Sequence, residues 1–202
     1  MNPQGSVFVL SGEELSLPFA EIRALAETYS KDAKAELSGK RIATSSISDQ
    51  EIVQDIAERA AYCRFGGILV SRSDNFLSLA GQIDLDLNNS NKTFAVDSFS
   101  LSKEECGDLG AAIKSKTRGR VSLENPDYLF QAESSGEGYL LGLSIHGYKQ
   151  QSWRARRPRV RKFFLPSAIY PKLARALVNL SHSRRGDLFL DPFCGTGSLL
   201  IE

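Results

Sequence analysis

The chain has few of the residues that build disulfide frameworks, metal centres or membrane spans. Its 202 residues include three cysteines, Cys63, Cys106 and Cys194, with no Cys-x-x-Cys pair, and two histidines. These counts argue against a disulfide framework or a zinc site and are typical of a reducing cytosol. No apolar run approaches the roughly 18 residues that a membrane-spanning helix needs, and no signal-peptide pattern is present. We therefore expect a cytoplasmic protein without a metal site or a membrane contact.

Acidic residues are scarce in the last quarter of the chain. Residues 1–148 contain 14 Lys and Arg against 21 Asp and Glu, a net charge of −7. Residues 149–202 contain 11 against 3, a net charge of +8. A concentrated basic segment on an otherwise acidic protein indicates local contact with a polyanion.

Hydrophobic periodicity predicts two compact α/β units. In residues 1–75, a strand at 7–10, a helix from Leu17, a helix capped by Asp49 and a strand at 68–70 suggest a ferredoxin-like sandwich. In residues 76–148, the pattern restarts with a helix that opens on a Ser-x-x-Glu capping box. Strands of this second unit are predicted at 93–99, 121–123, 128–132 and 139–145.

The remaining chain is a basic linker followed by a short α/β segment. Residues 149–162 (KQQSWRARRPRVRK) contain seven basic residues, no acid and no clear periodicity, which predicts an exposed linker. Pro171 suits the first turn of a helix whose apolar face is predicted from Leu173, Leu177 and Leu180. Residues 187–202 (DLFLDPFCGTGSLLIE) read as a buried strand, a glycine loop and the start of a helix.

The glycine loop is typical of a nucleotide-type site. Gly195 and Gly197 would let the backbone approach a ligand, and the helix that follows would supply free N–H groups. A dinucleotide fingerprint needs a further glycine where Leu200 stands, which argues against the dehydrogenase form. Asp191 would end the strand, in position to meet an amine or an organising N–H.

Four stretches resemble known families. The run 191–197 (DPFCGTG) resembles motif I of S-adenosylmethionine-dependent methyltransferases that act on amino groups in nucleic acids. Residues 119–128 (GRVSLENPDY) resemble a THUMP domain, an RNA-binding module of tRNA-modifying enzymes, although the residues alone also suit an ordinary β-turn. Residues 161–167 (RKFFLPS) and 171–180 resemble the lead-in of archaeal tRNA guanosine-10 N2-methyltransferases.

The last resemblance covers essentially the whole chain and implies its fold class and order of domains. It implies an α/β (α+β) protein: a ferredoxin-like domain (1–75), a THUMP domain (76–148), a basic linker (149–162) and the start of a Rossmann-like class I methyltransferase domain (163–202). The chain departs from the family at Leu165, where a histidine is common, and at Lys162, where a proline is common. These departures leave details of the pocket wall open.

The resemblance implies S-adenosylmethionine as cofactor and tRNA as partner. The Phe-Phe-Leu-Pro-Ser stretch and motif I would line the cofactor pocket, although Phe163 and Phe164 equally suit core packing. The residues expected at the cofactor are Phe164, Pro166, Ser167, Asp191, Pro192, Phe193, Cys194, Gly195, Thr196 and Gly197. Arginine planes suit phosphates and tryptophan can stack on a base, although a charge run is also commonly just solvated. The residues expected at RNA are Trp153, Arg154, Arg156, Arg157, Arg159 and Arg161.

Two elements of the implied enzyme are not found in these 202 residues. In the family, an acidic residue after the next strand holds the cofactor ribose, and an (Asn/Asp)-Pro-Pro-(Tyr/Phe) motif accepts from the target amine. The sequence contains no Pro-Pro pair. We therefore expect the chain by itself to be inactive, as a truncated or partial enzyme or one half of a split enzyme with a separately encoded catalytic half. The alternative is an RNA-binding adaptor of the THUMP type without catalysis.

Overall fold

The computed structural model describes residues 5–12, 16–85, 87, 92–145, 153–163 and 165–202. Its first part alternates strands and helices: β1 (Ser6–Leu10), α1 (Ser16–Tyr29), β2 (Ala35–Leu37), β3 (Ile42–Ser45), α2 (Gln50–Arg59) and β4 (Cys63–Ser73). Asp49 caps α2 as predicted, because its Oδ1 accepts hydrogen bonds from the backbone N–H groups of Glu51 at 2.9 Å and Ile52 at 3.1 Å. The short strands β2 and β3 were not predicted from the sequence.

The second part begins with a 3-10 helix. This helix (Phe76–Gln82) is followed by β5 (Thr93–Asp97), α3 (Lys103–Thr117), β6 (Arg120–Val121), β7 (Tyr128–Ser134) and β8 (Tyr139–Ile145). The predicted capping box of α3 is confirmed: Ser102 Oγ accepts from Glu105 N at 3.2 Å, and the Glu105 carboxylate accepts from Ser102 N at 2.7 Å. Two 3-10 turns (Arg154–Arg156 and Pro158–Val160), α4 (Pro171–Leu180) and α5 (Ser198–Ile201) follow.

A mixed sheet of eight strands runs through the described residues, in the order β2-β3-β1-β4-β8-β7-β5-β6. The strand β5 pairs in parallel with β6 and β7, and the other neighbours are antiparallel. Because β4 pairs with both β1 and β8, the sheet is continuous across the boundary predicted at residue 75. The mixed α/β fold class is confirmed, whereas the division into two domains stays a prediction.

Helices cover one face of this sheet in two groups. The first core packs α1 and α2 on β1 and β4 around Phe8 and Ile56, and the second packs α3 and the 3-10 helix on β7 and β8 around Phe130. On the other face, the apolar side chains of β1 and β4 are also buried, including that of Phe65. The turn between β2 and β3 lies close to the turn between β7 and β8, because a Cβ at Gly39 would clash with the backbone oxygen of Ser135.

The helix α4 packs on α1, with a different face from the one predicted. Leu173 and Leu177 are 38% and 39% exposed, whereas Lys172, Ala176 and Asn179 are buried. The prediction of the leucine face as the packed face was therefore wrong. The reason is long-range: α1 and the end of α2 offer polar partners to Asn179, and no periodicity within α4 reveals them.

The predicted buried strand at Leu188–Leu190 is also wrong. Leu188 is 98% exposed and Leu190 is 81% exposed, and neither belongs to a strand. A β-strand is stabilised by hydrogen bonds to a neighbouring strand, and none of the described strands lies beside these residues.

Candidate cofactor pocket and RNA-binding segment

Two segments that are distant in sequence enclose a pocket of about 340 Å³. One is the turn 165–169 before α4, and the other is the glycine loop 191–199. Of the residues expected at the cofactor, the structure brings six to this pocket: Ser167, Asp191, Phe193, Cys194, Gly195 and Thr196. Its volume is within the range of small-molecule sites.

The loop itself has the backbone that its glycines permit. Gly195 and Gly197 have φ angles of 51° and 72°, a left-handed conformation that strains other residues. The N–H of Gly197 donates to the backbone oxygen of Cys194 at 2.7 Å, and Asp191 Oδ1 accepts from Phe193 N at 3.0 Å. The carboxylate of Asp191 thus organises the entrance of the loop.

The other expected cofactor residues lie elsewhere. Pro166 lines a neighbouring cavity of about 610 Å³, together with Arg157 and Tyr170. Pro192 and Gly197 are not part of the pocket lining, and Phe164 lies outside the described residues. Leu165, where the family often has histidine, borders both cavities.

The described residues of the basic segment, 153–162, contain two 3-10 turns, and the aromatic residue among them packs on protein. Trp153 is half-buried against a cluster of Ala61, Tyr62 and Ala176. The guanidinium carbon of Arg156 lies 5.1 Å from the centre of the Trp153 ring. A base would have to displace these contacts in order to stack on the indole.

The five expected arginines of this segment differ in exposure. Arg154, Arg157 and Arg159 are exposed, and Arg157 also donates from Nε to the Tyr170 hydroxyl at 3.2 Å. Arg156 and Arg161 are only half-exposed and bind protein groups. Phosphate groups in solvent can therefore reach the first three without rearrangement.

A polar cluster holds α4 against the rest of the protein, and no pattern in the sequence indicates it. Glu21 is fully buried and accepts from Ala61 N at 2.8 Å, Tyr62 N at 2.9 Å and Asn179 Nδ2 at 2.8 Å. Burial raises the pKa of Glu21, although these hydrogen bonds act in the opposite direction. The ammonium of Lys172 lies 4.5 Å from the centre of the Tyr62 ring.

A larger cavity of about 880 Å³ lies away from the glycine loop, where α1 and α2 meet α4 and the residues after it. Its charged lining residues are Arg59, Arg175, Arg184, Arg185, Asp55, Glu58 and Glu202. Because both signs of charge are mixed in this lining, the cavity indicates no particular class of ligand.

Neither a membrane helix nor a metal cluster is present in the described part of the chain. No helix there is long and apolar enough to cross a bilayer. No group of three or more His, Cys, Asp or Glu side chains is placed to hold a metal ion there.

Comparisons with known proteins point to one class of enzyme. Residues 158–202 match the family model described as UPF0020, RMKL-like, methyltransferase domain. The chain is 31% identical over 208 residues to the tRNA (guanine(10)-N2)-dimethyltransferase of Methanothermobacter thermautotrophicus, an alignment that covers 96% of the chain and 59% of the relative. It is 29% identical over 223 residues to the enzyme of the same name from Methanocaldococcus jannaschii, covering 96% and 62%. Over nearly its whole length, the chain is similar in sequence to these tRNA methyltransferases. It spans about 60% of the length of these two relatives.

Two solved structures share the fold of this chain. TrmN from Thermus thermophilus superposes with a TM-score of 0.60 at 18% identity, covering 97% of this chain and 60% of the other. A predicted N6-adenine-specific DNA methylase from Listeria monocytogenes superposes with a TM-score of 0.52 at 18% identity, covering 100% and 54%. These likenesses support the fold class of the chain.

Proposed function

We propose that the chain is the RNA-docking portion and the beginning of the catalytic domain of a tRNA guanine N2-methyltransferase that acts on guanosine 10. The observation that carries this proposal is that the family match at 158–202 contains the segments enclosing the 340 Å³ pocket. The homology over 96% of the chain supports the same assignment for the sheet that precedes it.

The pocket suits S-adenosylmethionine in shape and chemistry. At Gly195 and Gly197 the loop has positive φ angles and no side chain, so a ligand could lie close to the backbone there. Asp191 brings a carboxylate to the lining, which suits the cofactor's amino group. The bound cofactor would supply an activated methyl group, and these residues would hold and orient it.

The exposed arginines suit the tRNA backbone. Arg154, Arg157 and Arg159 face solvent within the segment of net charge +8, on a protein whose other residues carry −7. Such an asymmetry attracts phosphate to one side of the molecule and orients the RNA. The THUMP resemblance at 119–128 adds a second, separate reason to expect RNA.

A methyl-transfer assay distinguishes the proposed methyltransferase from the alternative, an RNA-binding adaptor without catalysis. Incubated with radiolabelled S-adenosylmethionine and unmodified tRNA, the 202-residue chain should transfer no label, because it contains no Pro-Pro motif for the target amine. A fusion of the chain to the C-terminal portion of the Methanocaldococcus relative should transfer label to guanosine 10. If the fusion folds and binds tRNA but transfers none, the adaptor is the better description.

A further inference from the structure

Two arginines of the basic segment bind α5, the short helix after the glycine loop, and the residue that follows it. The two are Arg156 and Arg161, and both bind residues that follow the loop. The same segment carries the exposed arginines assigned above to RNA. Arginines that bind protein and arginines that face solvent therefore alternate within eight residues.

Arg156 binds a buried carboxylate. Its Nε lies 2.9 Å from Glu202 Oε1, and the Glu202 side chain is fully buried. The other carboxylate oxygen lies 3.4 Å from Nε of Arg175, which belongs to α4. Because the Glu202 carboxylate is buried, removing Arg156 leaves it with less compensation for its charge, which costs more than breaking a pair in which both partners are exposed.

Arg161 binds the same side of the same helical turn. Its Nη1 donates to Ser198 Oγ at 3.1 Å, and its Nε donates to the backbone oxygen of Arg156 at 3.2 Å. Residues four apart lie on one side of a helix, so Ser198 and Glu202 face the basic segment together. The Nη2 atom of Arg161 is buried as well, which keeps a phosphate from reaching it.

We propose that Arg156 and Arg161 are positioning residues that join the turn after the glycine loop to α4, and that phosphate contact falls to Arg154, Arg157 and Arg159. We call these contacts, of Arg156 and Arg175 with Glu202 and of Arg161 with Ser198, the latch. Since α4 packs on α1, the latch links the glycine loop to α1 and to the sheet that α1 covers. Only the assignment of the exposed arginines rests on the proposed function.

The fluorescence of Trp153 can be used to test the latch in the absence of RNA. It is the single tryptophan of the chain, and the Arg156 guanidinium lies over its ring. In Glu202→Ala the indole itself is untouched, yet Arg156 loses its carboxylate. We expect Trp153 emission to shift to longer wavelength in both Arg156→Ala and Glu202→Ala, with a lower Tm. Arg159→Ala is the matched control and should change neither quantity.

A double variant tests whether the two residues act as a pair. In the Arg156→Ala background, Glu202→Ala should lower Tm by less than it does alone, because the pair is already broken. Should Arg156→Ala fail to fold, Arg156→Lys keeps a cation for Glu202 and should fold with a Tm between those of the wild type and Glu202→Ala. Additive effects, or an unchanged emission in Glu202→Ala, would overturn the latch.

Titrations of tRNA binding against salt separate the two groups of arginines. Arg159→Ala should reduce the slope of log affinity against log salt by about 0.7–0.9, the value of one phosphate contact. Arg156→Ala, or Arg156→Lys if needed, should leave the slope unchanged. An equal loss of slope in both variants would contradict the division between them. If the wild-type chain bound no tRNA, the proposed function would fail, while fluorescence and melting would still decide the latch.

Discussion

Asp127, in the Asn-Pro-Asp turn, connects the beginnings of two parallel strands. Its Oδ2 accepts from Thr93 N at 2.8 Å and from Thr93 Oγ1 at 2.9 Å, and its Oδ1 lies 2.8 Å from Lys92 Nζ. The Lys92 ammonium, followed by the hydrogen bonds from Thr93, holds the pKa of Asp127 well below its ordinary value of 3.8. Asp127, in the stretch that resembles a THUMP domain, thus stabilises the pairing of β5 and β7 in the folded chain.

Asp127→Asn is expected to lower Tm at neutral pH, because one acceptor oxygen and its charge are lost. Since the pKa of Asp127 is lower in the folded chain than in the unfolded chain, its stabilisation is complete above the unfolded value and is lost as the pH falls toward the folded value. The difference in Tm between the wild type and the variant should therefore narrow below a pH of about 4. Melting curves across this range check it, with Glu124→Gln, an exposed neighbour, as control. A difference that grows on acidification would contradict the assignment.

At the scale of elements, α4 shows how a helix is docked by polar contacts. The Asn179 side chain donates from Nδ2 to Glu21 Oε1 at 2.8 Å and to the backbone oxygen of Arg59 at 2.9 Å. These two contacts join α4 to α1 and to the end of α2. The leucines of α4 take no comparable part, since Leu173 and Leu177 remain more than a third exposed.

Asn179→Ala is expected to lower the free energy of unfolding by about 1–3 kcal/mol, because it leaves the buried oxygens of Glu21 and Arg59 short of a donor. Leu177→Ala, on the exposed side of the same helix, should change it by only about 0.5 kcal/mol. Urea unfolding of the two variants measures both values. A larger loss for Leu177→Ala would restore the leucine face as the packed one.

At the scale of the whole molecule, charge is separated between the sheet and the basic segment. The exposed arginines 154, 157 and 159 lie in the segment of net charge +8, beside a body of −7. A phosphate backbone would be drawn to this segment and kept away from the acidic surface.

Replacing Arg154, Arg157 and Arg159 together by Ala should weaken binding to all tRNAs alike and reduce the salt slope by about 2–3, because about three phosphate contacts are lost. Fluorescence anisotropy at several salt concentrations measures the slope. Replacing Arg23, Arg72 and Lys103, which are exposed and lie outside the basic segment, together by Ala removes the same charge and is the control. Equal effects of the two triple variants would show a response to net charge alone.

The sequence by itself determined the elements whose signals are local. Asp49, the Ser102–Glu105 capping box and the alternating strands located α2, α3, β5 and β7 correctly, because caps and periodicity involve residues a few positions apart. The glycine loop could also be predicted from the sequence. Gly195 and Gly197 have positive φ angles, a conformation that favours glycine over other residues. The short strands β2 and β3 escaped prediction because three or four residues carry too little pattern.

Only the tertiary structure decided which residues of the basic segment and of α4 face the protein. Arg156 and Arg159 look alike in sequence, yet one lies against a buried carboxylate 46 residues away and the other faces solvent. Asn179 is buried because Glu21, 158 residues before it, needs a donor. Such choices depend on charge and hydrogen-bond partners brought together by folding, which no pattern of neighbouring residues contains.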